Sequence, residues 1–165
     1  MKFKTLLRLS GVAAIISAML LFLLAISFIA QIFLGDEAMS ASSILLSIAR
    51  IFEVFAILGL YALNYQALGG LGLAGFCLMI SGILIDLFPP TGRVLFTLGL
   101  LLFTIAYLRT RALPAWILIV WLLSSVLILV SSVLFGTIML AAGIFGSGIA
   151  FFRLGTVLRR QSKAL

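Results

Sequence analysis

The chain has 165 residues, of which 65% are hydrophobic and 9% charged, with a mean hydropathy of +1.41. That is far more apolar than a soluble domain and marks an integral membrane protein. Eleven Lys and Arg against four Asp and Glu give a pI near 10.6, but the basic residues stand at the ends of apolar runs rather than on a soluble face, which argues against a nucleic-acid partner. The chain has no histidine and a single cysteine, Cys77, within an apolar run. An internal disulfide, a haem axial histidine and a thiol or imidazole metal cluster therefore lack their ligands, and no catalytic residue, metal or cofactor is expected.

Lys2, Lys4 and Arg8 precede a first apolar run in the manner of a secretory signal, but Leu9 to Leu34 is 26 residues without a charge. A signal core of about 7 to 15 residues is much shorter, so this run reads as a retained membrane helix. Dividing the remaining uncharged stretches at their breakers, with about 20 residues per crossing, predicts a six-transmembrane-helix bundle as one all-α membrane domain. The expected spans are about 7–34, 44–65, 71–88, 93–108, 115–131 and 135–154, with a turn at Gln66 to Gly70 and a stop at Pro89-Pro90. The last two divide the charge-free stretch Ala112 to Phe152, which is too long for a single crossing.

Basic residues favour the cytoplasmic side of short loops. With both termini cytoplasmic, Lys2, Lys4, Arg8, Arg109, Arg111, Arg153, Arg159, Arg160 and Lys163 are inside, while Arg93, Asp36, Glu37 and Asp86 lie outside. Leu7 to Leu21 also aligns with Leu71 to Ile85, matching at Gly11/Gly75 and Ser17/Ser81 among others; a duplicated hairpin would give parallel repeats rather than inverted ones.

The most polar face is on the second span. Ser43, Ser47, Arg50, Glu53, Ile57, Tyr61 and Asn64 recur at intervals of three or four and so share one side of a helix. From a span start at Ile44, Arg50 lies on the order of 9 Å deep and Glu53 about 14 Å, near the bilayer midplane. A lone charge there costs about 2.5 to 3.5 kcal/mol. The i,i+3 spacing lets the two neutralise each other, with Ser27, Ser124 or Ser125 as candidate hydroxyl partners. The alternative use of the same face is a ligand, anion or proton site, with Tyr61 and Asn64 continuing the polar path. Asp86 and Arg93 bracket an outer turn and are expected to pair with each other or with water, Tyr107 and Trp116 to anchor at the interface, and Trp121 to pack. Small residues offer close helix approach. Ala14 with Ala18, Ala142 with Gly146, and Gly143 with Ser147 have the spacing, so Ala14, Ala18, Gly143, Gly146 and Ser147 are candidates for docking another helix, within this bundle or outside it.

Leu58 to Ile85, with its "GLAGF" re-entry, and "RALPAWILIVWLL" from Arg111 to Leu123 resemble a pattern of small bacterial multi-pass inner-membrane proteins. The resemblance covers about a third of the chain, implies that location, and carries no activity. "AIISA", Ala14 to Ala18, is similar to the Ala-xxx-Ala docking motif of substrate-binding subunits of energy-coupling-factor vitamin transporters, six-helix proteins of about this size; the polar loops with which they seize a vitamin are not evident here. The expectation is a non-catalytic accessory subunit of a membrane complex or a homo-oligomer, with the lipid bilayer and other membrane subunits as partners. The alternative is a small-solute transporter or channel component using the Arg50/Glu53 face.

Overall fold

The computed structural model describes residues 3–34, 39–86, 92–111, 113–131 and 136–164. The fold is all-helical, with five helices: α1 (Phe3–Leu34), α2 (Met39–Asp86), α3 (Gly92–Thr110), α4 (Ala115–Ser131) and α5 (Gly136–Ala164). Four of them are long and apolar enough to cross a membrane, and α4, at 17 residues, is shorter. Helices are the natural outcome here, because a backbone in hydrocarbon has no water to bond and must satisfy its own N–H and C=O groups. Large apolar side chains such as Leu9, Met19, Leu23, Ile26, Phe55, Leu123 and Ile138 point outward, whereas Glu53, Ser17, Thr104 and Ser124 are buried. An apolar exterior over a partly polar interior suits contact with lipid.

The expected second and third spans are a single 48-residue element, α2. Within it Asn64 and Gly69 leave helical geometry, so the break falls in the predicted turn, Gln66 to Gly70, and just before it. The element is not a straight rod. Arg50 and Asp86 would stand about 54 Å apart along a continuous helix, yet their side chains meet at 3.5 Å. Likewise the Tyr61 and Phe76 rings stack at 4.4 Å. The two arms of α2 therefore lie side by side, and the reversal occurs at Asn64 to Gly69. Gly69 carries it, with φ of 59° and ψ of −161°, a conformation essentially restricted to glycine.

The break leaves carbonyls at the end of the first arm without their usual helical donors. One is capped from α3: the Tyr107 hydroxyl donates to the Leu60 carbonyl at 2.5 Å and accepts from Asn64 Nδ2 at 3.2 Å. Tyr107 is fully buried, so the expected interfacial anchor is instead an internal cap. Trp116, by contrast, is exposed, with the Arg153 guanidinium over its ring, and Trp121 is buried between Phe96 and Phe151. α3 ends as the cap of Arg111 dictates. Its φ of 51° is left-handed, and its N–H returns to the Tyr107 carbonyl at 3.1 Å, the single bond of an αL terminus. Pro114 then opens α4, its carbonyl accepting from the Ile117 N–H.

Each helix packs on its neighbours in sequence, and α5 returns to α1, closing the ring. The seams are set by small residues. A Cβ on Gly75 would lie 2.6 Å from the Phe103 nitrogen, and one on Gly82 2.5 Å from the Phe96 nitrogen, so the second arm of α2 and α3 touch backbone to backbone. The two segments that align in sequence differ in setting: Ser17 is fully buried and bonds the Ala49 carbonyl, while Ser81 is exposed.

Gly69→Ala should destabilise the fold by about 1 kcal/mol or more, since a Cβ is strained at that φ and ψ. Gly70→Ala, one residue on, meets no neighbouring atom within 4 Å and should be neutral or slightly stabilising, as helix propensity dictates. Thermal unfolding in detergent, monitored for both variants beside the parent, distinguishes the two; equal effects would place the reversal elsewhere.

Candidate functional site: a buried charge cluster

Arg50 and Glu53 lie one turn apart on the first arm of α2. Arg50 Nη1 donates to Glu53 Oε2 at 2.5 Å, and the side chains are 13% and 2% exposed. The fold-back of α2 then adds a second carboxylate that sequence reasoning had assigned elsewhere. Asp86, at the end of the second arm, approaches Arg50 Nη2 through Oδ2 at 3.5 Å, while its Oδ1 faces Arg93 Nε at 3.7 Å. Asp86 thus bridges two arginines instead of pairing with Arg93 alone across a turn. The order is Glu53, Arg50, Asp86, Arg93, with the charges alternating and cancelling.

Phe96, one turn beyond Arg93 on α3, lies beneath the Arg50 guanidinium at 5.4 Å from its ring centre. An arginine over an aromatic face is stabilised most where water is excluded. Below it, Thr97 donates to the Arg93 carbonyl at 2.8 Å and shares a 2.8 Å hydroxyl contact with Ser125 of α4. The serines expected to serve Arg50 are engaged with other groups: Ser27 is exposed and bonds the Leu23 carbonyl, Ser124 bonds the Val120 carbonyl, and Ser125 meets Thr97. In a helix a serine hydroxyl readily donates to the carbonyl four residues back, and that bond fixes where its oxygen points.

A cavity of about 40 Å³ opens beside the cluster, with Arg50, Glu53, Arg93 and Ser147 among otherwise apolar walls from α1, α4 and α5. A second of about 20 Å³ lies between Arg50, Arg93, Thr97, Ser125 and Ser147. Such spaces accept one or two water-sized species and are far smaller than the sites that hold organic ligands. Arg50 Nε, Arg93 Nε and Asp86 Oδ1 are buried without a hydrogen-bond partner. Neither cavity reaches Tyr61 or Asn64. Tyr61 stacks on Phe76, Asn64 bonds Tyr107, and the fully buried Ile57 separates them from Glu53 along the helix face. The expected polar path is thus two separate polar centres.

The candidate docking residues have their own places. Ala14 and Ala18 are fully buried. A Cβ on Gly143 would come within 2.9 Å of the Ser124 carbonyl, and one on Gly146 would strike the Ser124 hydroxyl; these two glycines and the buried Ser147 line the seam with α4 or the charge cluster. Asp86 was the residue missed. Its signal was a carboxylate before a Pro-Pro break, one hairpin away from an arginine needing compensation. Among the described residues no three acidic or cysteine side chains gather as a metal would require. Compared with protein families, with characterised proteins and with solved structures, the chain matches none.

Arg50→Met should be the most damaging single change in the cluster, because it strands Glu53, 1% exposed, at a cost of about 3 kcal/mol for a broken buried pair. Glu53→Gln leaves Arg50 with Asp86 and should cost about 1 kcal/mol. The double substitution Arg50→Met, Glu53→Met keeps the Asp86 and Arg93 contact and should cost less than Arg50→Met alone. Unfolding midpoints of the three variants in one detergent check the order; a double variant worse than Arg50→Met would mean that the pair contributes more than mutual neutralisation.

Proposed function

We propose that the chain is a non-catalytic protein of a bacterial inner membrane, with six crossings and both termini cytoplasmic, that works by association, as an accessory subunit of a membrane complex or as a homo-oligomer. The observation that carries this reading is the closure of the charge cluster upon itself. Each charge faces an opposite one, and the space beside them is about 40 Å³, too small for an organic substrate. Two arginines and two carboxylates arranged in this way fix helix positions better than they bind solutes. The reversal within α2 favours two crossings for that element, each arm being close to the length of a bilayer. The basic ends of α1, α3 and α5 favour a common cytoplasmic side.

A second reading, passage or storage of a small ion or proton at the cluster, is favoured by Arg50 Nε and Arg93 Nε, which are buried without a hydrogen-bond partner beside the cavities. Intramembrane ionisable groups commonly serve such roles.

Purification from its membrane in mild detergent separates the two. The association reading expects stoichiometric co-purification with other membrane subunits or a defined oligomer by light scattering. A lone monomer whose stability rises with a monoatomic ion would instead select the second reading. Reporter fusions after Arg111 and after Lys163 should report cytoplasmic locations, and one between Gly35 and Ser42 an external one; an external C-terminal reporter would remove the six-crossing topology.

A further inference from the structure

At the end of the molecule away from the charge cluster, the first turns of α1 and the last turns of α5 form a cleft of about 480 Å³ lined by Lys4, Thr5, Arg8, Arg159, Ser162 and Lys163. Two pairs of like charges face each other across it. Lys4 and Arg8 are four residues apart on α1, and Arg159 and Lys163 four apart on α5, so each pair shares one helix face and repels along it. A second hollow of about 180 Å³ on α5 adds Arg160 beside Arg159 and Lys163. Among the described residues the side-chain carboxylates are Glu53 and Asp86, both engaged with arginines in the cluster at the opposite end. The four cations therefore converge without a side-chain anion between them.

The cleft is constructed by the packing beneath it. α1 and α5 run antiparallel and meet most closely where a Cβ on Gly155 would lie 2.7 Å from the Gly11 carbonyl. A Cβ on Gly11 would lie 2.8 Å from Arg159 Cγ. The bare backbone at Gly11 thus lets the Arg159 stem rest against α1, so its guanidinium leaves from the seam between the helices. Its depth follows from length: α1 and α5 have 32 and 29 residues, or roughly 48 and 44 Å, and overrun a hydrocarbon core of roughly 30 Å. The basic ends overrun it together, directly beyond the uncharged run that starts at Leu9. That is the level of lipid headgroups.

We propose that this cleft binds a phosphate group, and that the phosphodiester of an anionic phospholipid headgroup supplies it. Arginine guanidinium forks match phosphate oxygens bidentately, lysines add point charge, and the Thr5 hydroxyl lies within the same walls. The volume is that of a small-ligand site and accommodates a headgroup whose acyl chains continue along the apolar outer faces of α1 and α5. Basic pockets between membrane helices hold lipid headgroups by the same physics. The inference stands apart from the role of the central cluster.

The test uses the full chain in a neutral detergent, with binding read by native mass spectrometry and by thermal stabilisation. Phosphatidylglycerol, phosphatidylcholine and inorganic phosphate are titrated separately. Phosphatidylglycerol should bind in preference to phosphatidylcholine, and Arg8→Gln with Arg159→Gln should weaken it roughly tenfold or more. Arg109→Gln with Arg111→Gln, which removes the same charge from the same end but outside the cleft, should leave binding unchanged. If inorganic phosphate stabilises the parent and not the cleft variant while the two lipids bind alike, the site stands and its ligand is a free phosphate. Equal weakening by both double variants would overturn the proposal in favour of diffuse surface charge, as would absence of any response to phosphatidylglycerol and phosphate. Should the Arg8 and Arg159 variant fail to fold, Lys4→Gln with Lys163→Gln, at two exposed positions, carries the same expectation.

Discussion

Arg50 stands in an apolar helix, where its charge is tolerable only if carboxylates come to it, because hydrocarbon offers neither water nor counter-ions. Glu53 is supplied by the same helix, one turn on. Asp86 can reach Arg50 only if α2 doubles back, so the compensation of one buried guanidinium is tied to the path of 48 residues. Arg93 answers the surplus carboxylate from the start of α3, and Phe96 then lies under Arg50 one turn later. Three helical segments are thereby pinned together at one end. Their other end is pinned by a different necessity, the carbonyls orphaned by the reversal, and Tyr107 answers it from α3 with a single hydroxyl. The α2 and α3 unit is clamped ionically at one end and by a buried hydrogen-bonded tyrosine at the other.

The other half of the ring has no such clamp. No ion pair joins α1, α4 and α5 to one another among the described residues, and their seams rely on close approach. Lipid tails are as apolar as leucine side chains, so helices gain little by burying leucine against leucine, and contact through small residues is what favours association. Gly11 with Gly155 brings α1 to α5, and Gly143 with the Ser124 carbonyl brings α4 to α5. Ser124 uses its own helix for its hydroxyl bond, so it presents no unmet donor at a seam too narrow for water. Of the small residues whose spacing suggests docking, Gly143 and Gly146 lie against α4 in this seam.

Much of the architecture was legible because hydrocarbon imposes a simple grammar of long apolar helices, charges at their ends and small residues at their seams. The Arg50 and Glu53 pair was readable because i,i+3 spacing is local. What could not be read was non-local. Asp86 looked like a turn residue because its partnership depends on two arms of α2 lying in register, and Tyr107 looked like an interface ring because nothing in its own segment shows a carbonyl waiting 47 residues earlier. The break between the two arms was local and therefore legible: the polar and glycine residues of Gln66 to Gly70 mark it in the sequence, and helical angles are lost at Asn64 and Gly69. Even the serines misled for a local reason: Ser27 and Ser124 are turned to carbonyls of their own helices, and Ser125 to Thr97.

The two ends of the molecule differ in how their charge is answered, and this bears on what each can attract. In the central cluster two arginines face two carboxylates, so the formal charge is zero and an entering anion is drawn by Arg50 and Arg93 but repelled by Glu53 and Asp86 at close range. At low dielectric both forces are strong, and they oppose each other within a space of about 40 Å³. An anion would therefore have to bring a proton for one carboxylate or displace it from its arginine. The cleft between α1 and α5 presents no such opposition among its lining residues. Its four cations are exposed, where screening is stronger, and no lining carboxylate offsets them. Uncompensated charge thus stands at the exposed basic end, and compensated charge in the buried cluster.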